Sequence, residues 1–591
     1  MTPAPELAAA PGFEPTGNLQ VHLSANRSAD GAVLRAGAVH LGIDAVLDLV
    51  GRDGGPLLEP RILVDGNAVS PHSVTRLEAW IPRWHYRGLG WQASLTLVVP
   101  IGERGFALRL AAEATHHATL ELCLALSPGE LEAVRFSGQP LPLPLHRSFD
   151  RWTRSMVWDC RSAVPLLALA AHFEGDWRLE DEGELDAVAR CSVDLRSGES
   201  AGVTAFFGMA PEGDGARTTA LHLRRVGWDD LLGRTEAWLR ARRAPVAGAL
   251  EQFASRNLFF SYFFAQADSL DSDEPVMLTS RSFVYYVSGA FWSRDSLLWA
   301  FPACLEIDPE RAKVLLRTAF VRYARHPGEH AQYLSGTVLY PGFELDEAAA
   351  YPFALSSYLE RTGDRDLADE PAVREGLRRV LDAVHARAHP TRPLYSTFLS
   401  PTDDPVPETP YLAYDNLLLA AALTRLGAAL AEPTIAEWGE AIAAEARAFF
   451  QAPGPYGPMY AYGTDEQGGA RLGDEPAGSL LLLPYLGVCP IDDPVWQATA
   501  RWIRSQHNPH HYPGRFEGRG SAHFRHPSVF GLVNDLLSDR AADARSLLEA
   551  APLDNGLACE GFDVHHGGVR TGGAFATVAG WLAYALIRQA T

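Results

Sequence analysis

The sequence predicts a two-part fold, an N-terminal antiparallel β-sandwich followed by an (α/α)6 toroid. Three observations carry this reading. From about Asn18 to Arg225 apolar residues alternate with period two, as in Leu19-Gln20-Val21-His22-Leu23, Ser94-Leu95-Thr96-Leu97-Val98-Val99 and Thr119-Leu120-Glu121-Leu122-Cys123-Leu124. From about Leu250 onward they recur at i, i+3 and i+4, in roughly twelve stripes. Alternate loops between those stripes concentrate Gly, Pro, Asp, His and aromatic residues, an arrangement that two concentric rings of helices would gather at one end.

In chain order, turn signals such as Asp53-Gly54-Gly55 and Asp65-Gly66-Asn67 punctuate the strands. A helical passage from Trp228 to about Arg243 ends near Pro245 and reads as a linker. The expected division is therefore a β-domain over 1–225, a linker over 226–249 and a helical domain over 250–591. Helices are expected at Ala312 to Tyr323, Glu347 to Arg361, Ala372 to Ala388, Tyr414 to Leu430, Ile435 to Phe450, Asp493 to Ser505 and Ala574 to Arg588.

Composition narrows the function. Of 591 residues 47% are hydrophobic, too many for a disordered chain, yet no run of eighteen apolar residues could span a membrane. The charge of 51 − 72 = −21 comes with no Lys/Arg block, which argues against a nucleic-acid partner. The opening MTPAPELAAAPGFEP lacks a secretory-signal pattern, so a cytoplasmic location is expected. The six cysteines show no CxxC spacing and read as buried free thiols.

Four segments combine carboxylates with aromatics, as a sugar site needs for hydroxyl edges and C–H faces. In Trp292-Ser293-Arg294-Asp295, Asp295 is placed to accept sugar hydroxyls beside Trp292 or Trp299, or else Arg294 and Asp295 form a cap and structural ion pair. In Phe343-Glu344-Leu345-Asp346-Glu347, the helix dipole accounts for Asp346 and Glu347 but less for Glu344. In Ser400-Pro401-Thr402-Asp403-Asp404-Pro405, two adjacent acids sit in a stiff loop near Tyr411 and Tyr414. A neighbouring charge and partial desolvation would there raise one carboxyl for proton donation. In Cys559-Glu560-Gly561-Phe562, Glu560 stands among small and apolar residues, an odd place for a solvating carboxylate. The last two segments supply the acid and base of glycoside hydrolysis. Among His507, His510, His511, His523 and His526, Pro509 breaks the helix that an i, i+4 metal-ligand pair would need. Phosphate-loop, nucleophile-elbow and dinucleotide fingerprints are missing, so neither metal nor cofactor is expected.

The ordered set Trp292-Ser293-Arg294-Asp295-Ser296, Phe343-Glu344-Leu345-Asp346, Tyr351-Pro352, Thr362-Gly363-Asp364, Ser400-Pro401-Thr402-Asp403-Asp404, Ser479 to Gly487, Gly520-Ser521-Ala522-His523 and Glu560-Gly561-Phe562 resembles glycoside hydrolase family 125. The resemblance runs from about Asn257 to Leu586. It is wider within the six-hairpin glycosidases, including family 63 and glycogen-debranching enzymes. It implies a metal-independent, inverting exo-α-mannosidase on an (α/α)6 barrel. Asp403 would be the general acid, with Asp404 as fallback, and Glu560 the general base. Trp292, Arg294, Asp295, Glu344, Asp346, Tyr414 and His523 would line the sugar subsite. Two positions depart from the family pattern, Ala522 where Pro is expected and Cys559-Glu560-Gly561 where His-Glu-Ser is expected. The sandwich-plus-toroid architecture, with its N-terminal β-domain, instead resembles glucoamylases, debranching enzymes and disaccharide phosphorylases.

The expected partner is an oligosaccharide or small glycoside. Alternatives are an α-glucosidase or debranching-type glucohydrolase, a phosphorylase using Arg570, Arg519 or Arg525 to hold phosphate, and a non-catalytic glycan-binding protein. The β-domain has three candidate roles: binding glycan, shaping the barrel mouth, or building a homodimer.

Overall fold

The computed structural model describes residues 13–590 except 25–29, 136–140, 161, 182, 286, 288, 402–408, 466 and 468. Its first part is built from three sheets, antiparallel in every pairing. A six-stranded sheet runs Thr16–Gly17, His22–Ser24, Arg35–His40, Ala45–Gly51, Pro128–Val134, Leu141–Leu143. An eight-stranded sheet runs Leu145–Asp150, Ser155–Cys160, Ala168–Glu174, Ser200–Ala210, Gly105–Ala114, Trp91–Val98, Ile81–Gly88, Ser73–Leu77. A five-stranded sheet runs Arg178–Asp181, Ala187–Leu195, Ala118–Leu126, Leu58–Val64, Asn67–Val69.

Period-two alternation sorts side chains between two layers. Phe207 joins Leu47, Leu97 and Leu122 in a core enclosed by all three sheets. Its neighbour Phe206 points the other way, into a core shared with the helices that follow. Trp80 bridges to those helices, its ring 5.5 Å from that of Phe263.

One stretch read as period-two is helical. Helix α1 (Gly213–Val226) starts at Glu212, whose carboxylate accepts the Gly215 amide, and buries Ala216, Ala220 and Leu223. The sheet face beneath it is made of Ala168, Ala170, Ala210 and Gly208, small enough to let a helix lie close. Helix α2 (Trp228–Ala241) follows where the linker helix was expected.

The second part is helical: α3 (Glu251–Phe264), α4 (Phe301–Ile307), α5 (Pro309–Val321), α6 (Leu345–Thr362), α7 (Asp366–Asp369), α8 (Pro371–His385), α9 (Ala413–Leu430), α10 (Pro433–Phe449), α11 (Pro494–Ile503), α12 (Val529–Leu536), α13 (Ala541–Ala550) and α14 (Ala576–Arg588). The seven helices named from apolar stripes correspond to α5, α6, α8, α9, α10, α11 and α14. Helices α3, α6, α9 and α14 are buried along most of their length, whereas α8 and α10 expose one face. Helices α9 and α10 pair as a hairpin, Gly427 against Ala436 and Gly439 against Thr424. The six cysteines are buried free thiols. Among the described residues no helix is long and apolar enough to cross a membrane.

Candidate active site

A short three-stranded sheet, Ala290–Phe291, Glu329–Tyr333 and Val338–Phe343, delivers two of the four segments to one place. Trp292 and Ser293 follow its first strand, and Glu344 follows its last. Instead of a plain α-helical start, Arg294–Ala300 forms a π-helical stretch that runs into α4. Wide turns of this kind often occur at functional sites.

Arg294 is the hub. Its guanidinium Nη1 donates to Glu344 Oε2 at 2.5 Å and Asp346 Oδ2 at 2.9 Å, and Nη2 lies 3.5 Å from Glu347 Oε1. Glu347 also accepts the Arg294 amide at 2.8 Å and the Ser293 hydroxyl. His330 pairs with Glu344, and the Trp292 ring stands edge-on to His330 at 5.9 Å. All four charged side chains are buried. Desolvation would push every carboxyl up; at Glu344 the attraction of Arg294 and His330 outweighs it and holds the acid below the usual range. Asp346 is left raised, and Glu347 is pushed up to about 8, by burial and by the charge of Glu344. Desolvation works against the Arg294 charge too, but the surrounding acids outweigh it and hold the guanidinium firmly protonated. Arg294 thus pairs with Glu344, Asp346 and Glu347, whereas the ion pair that the sequence left open was with Asp295.

Asp295 points elsewhere. Its Oδ2 accepts the Thr577 hydroxyl of α14 at 3.0 Å, and burial pushes its pKa up to about 7 against the pull of Arg294 and Thr577.

Glu560, 4% exposed, precedes the hairpin Gly561–Phe562 and Val569–Thr571. Its amide donates to the Gly572 carbonyl at 3.0 Å, and its carbonyl accepts the Val529 amide of α12. A Cβ at Gly572, where φ is +53°, would lie 2.5 Å from the Glu560 Cβ, so only glycine fits beside the carboxylate arm. Five residues on, Thr577 reaches Asp295, so one strand-to-helix connection ties Glu560 to the Asp295 segment. Aromatic rings floor this region: Tyr285 stacks on Phe575 at 4.1 Å, and Phe575 and Trp299 both meet Phe530.

The remaining residues fall around this centre. Tyr414, at the start of α9, is buried, with its hydroxyl held in the protonated form by burial and by the charges of Asp346 and Asp415. Tyr414 and Pro401 both close on Gly478. His523 is half-buried on a turn where the Ser521 hydroxyl accepts its amide. Asp403 and Asp404 lie outside the described residues.

Asp415 was not singled out from the sequence. It is fully buried, neither carboxyl oxygen has a hydrogen-bond partner among the described residues, and burial with the charges of Asp346 and Glu344 pushes its pKa far up. The available signal was that it is the one acid in the apolar helix Ala413–Leu430. His330, Tyr285, Phe575 and Thr577 were also missed; each gains meaning only from a partner distant in sequence. Among the described residues no group of three or more His, Cys, Asp or Glu side chains is arranged to hold a metal.

Residues 388–537 match the family model of metal-independent α-mannosidases, glycoside hydrolase family 125. The fold is similar to that of a Streptococcus pneumoniae protein from a family of metal-independent α-mannosidases, solved in a non-productive complex with α-1,6-mannobiose. That match has 18% identity and a TM-score of 0.51, covering 58% of this chain and 94% of that one. A bacterial glucoamylase complexed with acarbose matches at 12% identity and TM-score 0.63 over 100% of this chain and 96% of its own. A putative kojibiose phosphorylase from the human microbiome matches at 10% and 0.59, over 96% and 86%. No curated protein sequence matches the chain.

Proposed function

We propose that this chain, whose residues 388–537 match the family 125 model, is a six-hairpin glycoside hydrolase, an exo-acting enzyme that removes one terminal α-linked hexose with inversion, mannose first among the candidates. The proposed architecture is a β-sandwich domain over 1–225, a linker over 226–249 and an (α/α)6 toroid over 250–591. Asp403, or Asp404 in its place, protonates the glycosidic oxygen as the bond to the anomeric carbon breaks. Glu560 takes a proton from the water that attacks the opposite face. Asp295, Trp292, Glu344, Asp346, Tyr414 and His523 form the terminal-sugar subsite, with Arg294 fixing the carboxylates.

One observation carries this reading: the family match over 388–537 spans the Asp403-Asp404 loop on a chain whose Glu560 is buried beside the Asp295 connection. Burial among rings, with Gly572 in close approach, suits a carboxylate that must work on one water and not on bulk solvent. Hydrolysis is favoured over phosphorolysis by two of the three candidate arginines. Arg519 is bound by Asp535 and the Gly531 carbonyl, and Arg570 faces Asp563 at 3.6 Å. Glucose is the second candidate sugar, because the β-rich part, outside the mannosidase-like region, has its counterpart in the glucoamylase fold.

Proton NMR with α-1,6-mannobiose and, in parallel, isomaltose, each with and without phosphate, tests this. Early β-mannose supports the sugar and inversion together. Glucose from isomaltose alone replaces the sugar, a sugar phosphate replaces hydrolysis, and early α-anomer overturns inversion.

A further inference from the structure

The β-domain touches the segment that walls Glu560. Arg35, on strand Arg35–His40, is held by Glu132 of strand Pro128–Val134 and lies over the Phe283 ring at 4.2 Å. The end of that same strand meets Gly289, where φ is +75° and a Cβ would come 2.7 Å from the Val134 carbonyl oxygen and 3.0 Å from that of Arg135. A third tie is Arg281, fully buried, whose guanidinium donates to the carbonyls of Asn18 and Phe263. Between these anchors the chain presents Val284 and Tyr285 to the Glu560 connection. Tyr285 Cε2 lies 3.3 Å from the Cβ position of Gly572, Val284 Cγ1 lies 3.3 Å from that of Gly573, and the Tyr285 ring stacks on Phe575.

We propose that the β-domain shapes the catalytic pocket: Arg35 and the end of strand Pro128–Val134 clamp Phe283 and Gly289, so that Tyr285 between them acts as a positioning residue for Glu560. The clamp explains why position 289 holds a glycine and why a cation is placed over an aromatic ring between the two parts of the chain. A base must aim at one water, and a displacement of about 1 Å lowers turnover by up to about a hundredfold. A wall packed against Gly572 therefore acts on the rate without touching sugar. This inference rests on the reading of Glu560 as the base.

The test uses the full chain with Arg35→Ala, Arg35→Lys and Phe283→Leu. Phe283→Leu removes the ring under the guanidinium and leaves every β-domain residue unchanged. On whichever of α-1,6-mannobiose and isomaltose the wild type cleaves, Arg35→Ala and Phe283→Leu should lower kcat about tenfold while KM stays within about threefold. Arg35→Lys, which keeps the cation, should recover most of kcat. Hydrogen exchange measured without sugar should quicken in residues 557–575 in the first two variants and not in Arg35→Lys. Unchanged exchange there, or quickened exchange with unchanged kcat, overturns the proposal. So does a loss of kcat matched by an equal loss of folded protein. A wild type that cleaves neither sugar removes both candidate sugars, whereas the exchange arm still decides whether the β-domain holds that wall.

Discussion

At the scale of single residues, the site sets its protons by burial first and by charge second. Glu344 is held below the usual carboxylate range because Arg294 and His330 both bond it, while at Asp415, with no hydrogen-bond partner among the described residues, burial and the charges of Asp346 and Glu344 push the pKa far up. Asp295 sits between these limits, pushed up to about 7. A carboxyl whose pKa is 3.8 in the unfolded chain and about 7 in the folded one favours folding most below pH 3.8, and that contribution is lost as pH climbs to 7. Asp295→Asn stays neutral throughout. Its Tm should fall less than the wild type's across that window in a calorimetric pH series; parallel curves would show that Asp295 ionises normally. Glu560→Gln keeps the shape of the side chain and removes the base, so turnover should drop by about 10²–10⁴ with an unchanged circular dichroism spectrum. Near-normal activity in that variant would end the assignment.

At the scale of elements, short pieces of backbone do the positioning. The π-helical stretch Arg294–Ala300 turns consecutive residues to different jobs, Arg294 toward the acids of α6 and Asp295 toward α14. The connection from Glu560 through Gly572 to Thr577 fixes the candidate base relative to Asp295. Gly572→Ala adds a methyl group where φ is positive and the Glu560 Cβ is already in contact. It should lower turnover at least about tenfold and lower Tm as well; wild-type kinetics would refute the close approach. These placements were only partly legible beforehand. Alternation in Gly105–Ala114 and apolar stripes in α6 and α9 report burial directly, because one face must leave water. Helix α1 escaped that reading, since Ala216 and Ala220 are too small to mark a stripe clearly and the turn that starts it depends on Glu212 capping Gly215.

At the scale of the whole molecule, the two parts share a core. Trp80, Phe206 and Leu223 pack in one cluster with Leu258, Phe259 and Phe263 of α3, so neither part is enclosed by its own residues alone. Trp80→Ala should destabilise the chain by about 3–5 kcal/mol and lower the Tm of a single calorimetric transition. Two separate transitions, with only the first moved, would show that the parts unfold independently. By itself the sequence determined the order of a β-rich and a helical part, the acidic charge of the chain, and the four segments in which carboxylates meet aromatics. Those properties follow from local periodicity and composition, which each stretch of chain carries alone. Only the tertiary structure decided that Arg294 binds Glu344, Asp346 and Glu347, that Asp295 bonds Thr577, that Asp415 is a buried acid beside them, and that Arg35 reaches Phe283. Each of those depends on desolvation and on a partner tens to hundreds of residues away, and neither is written in the spacing of neighbouring residues.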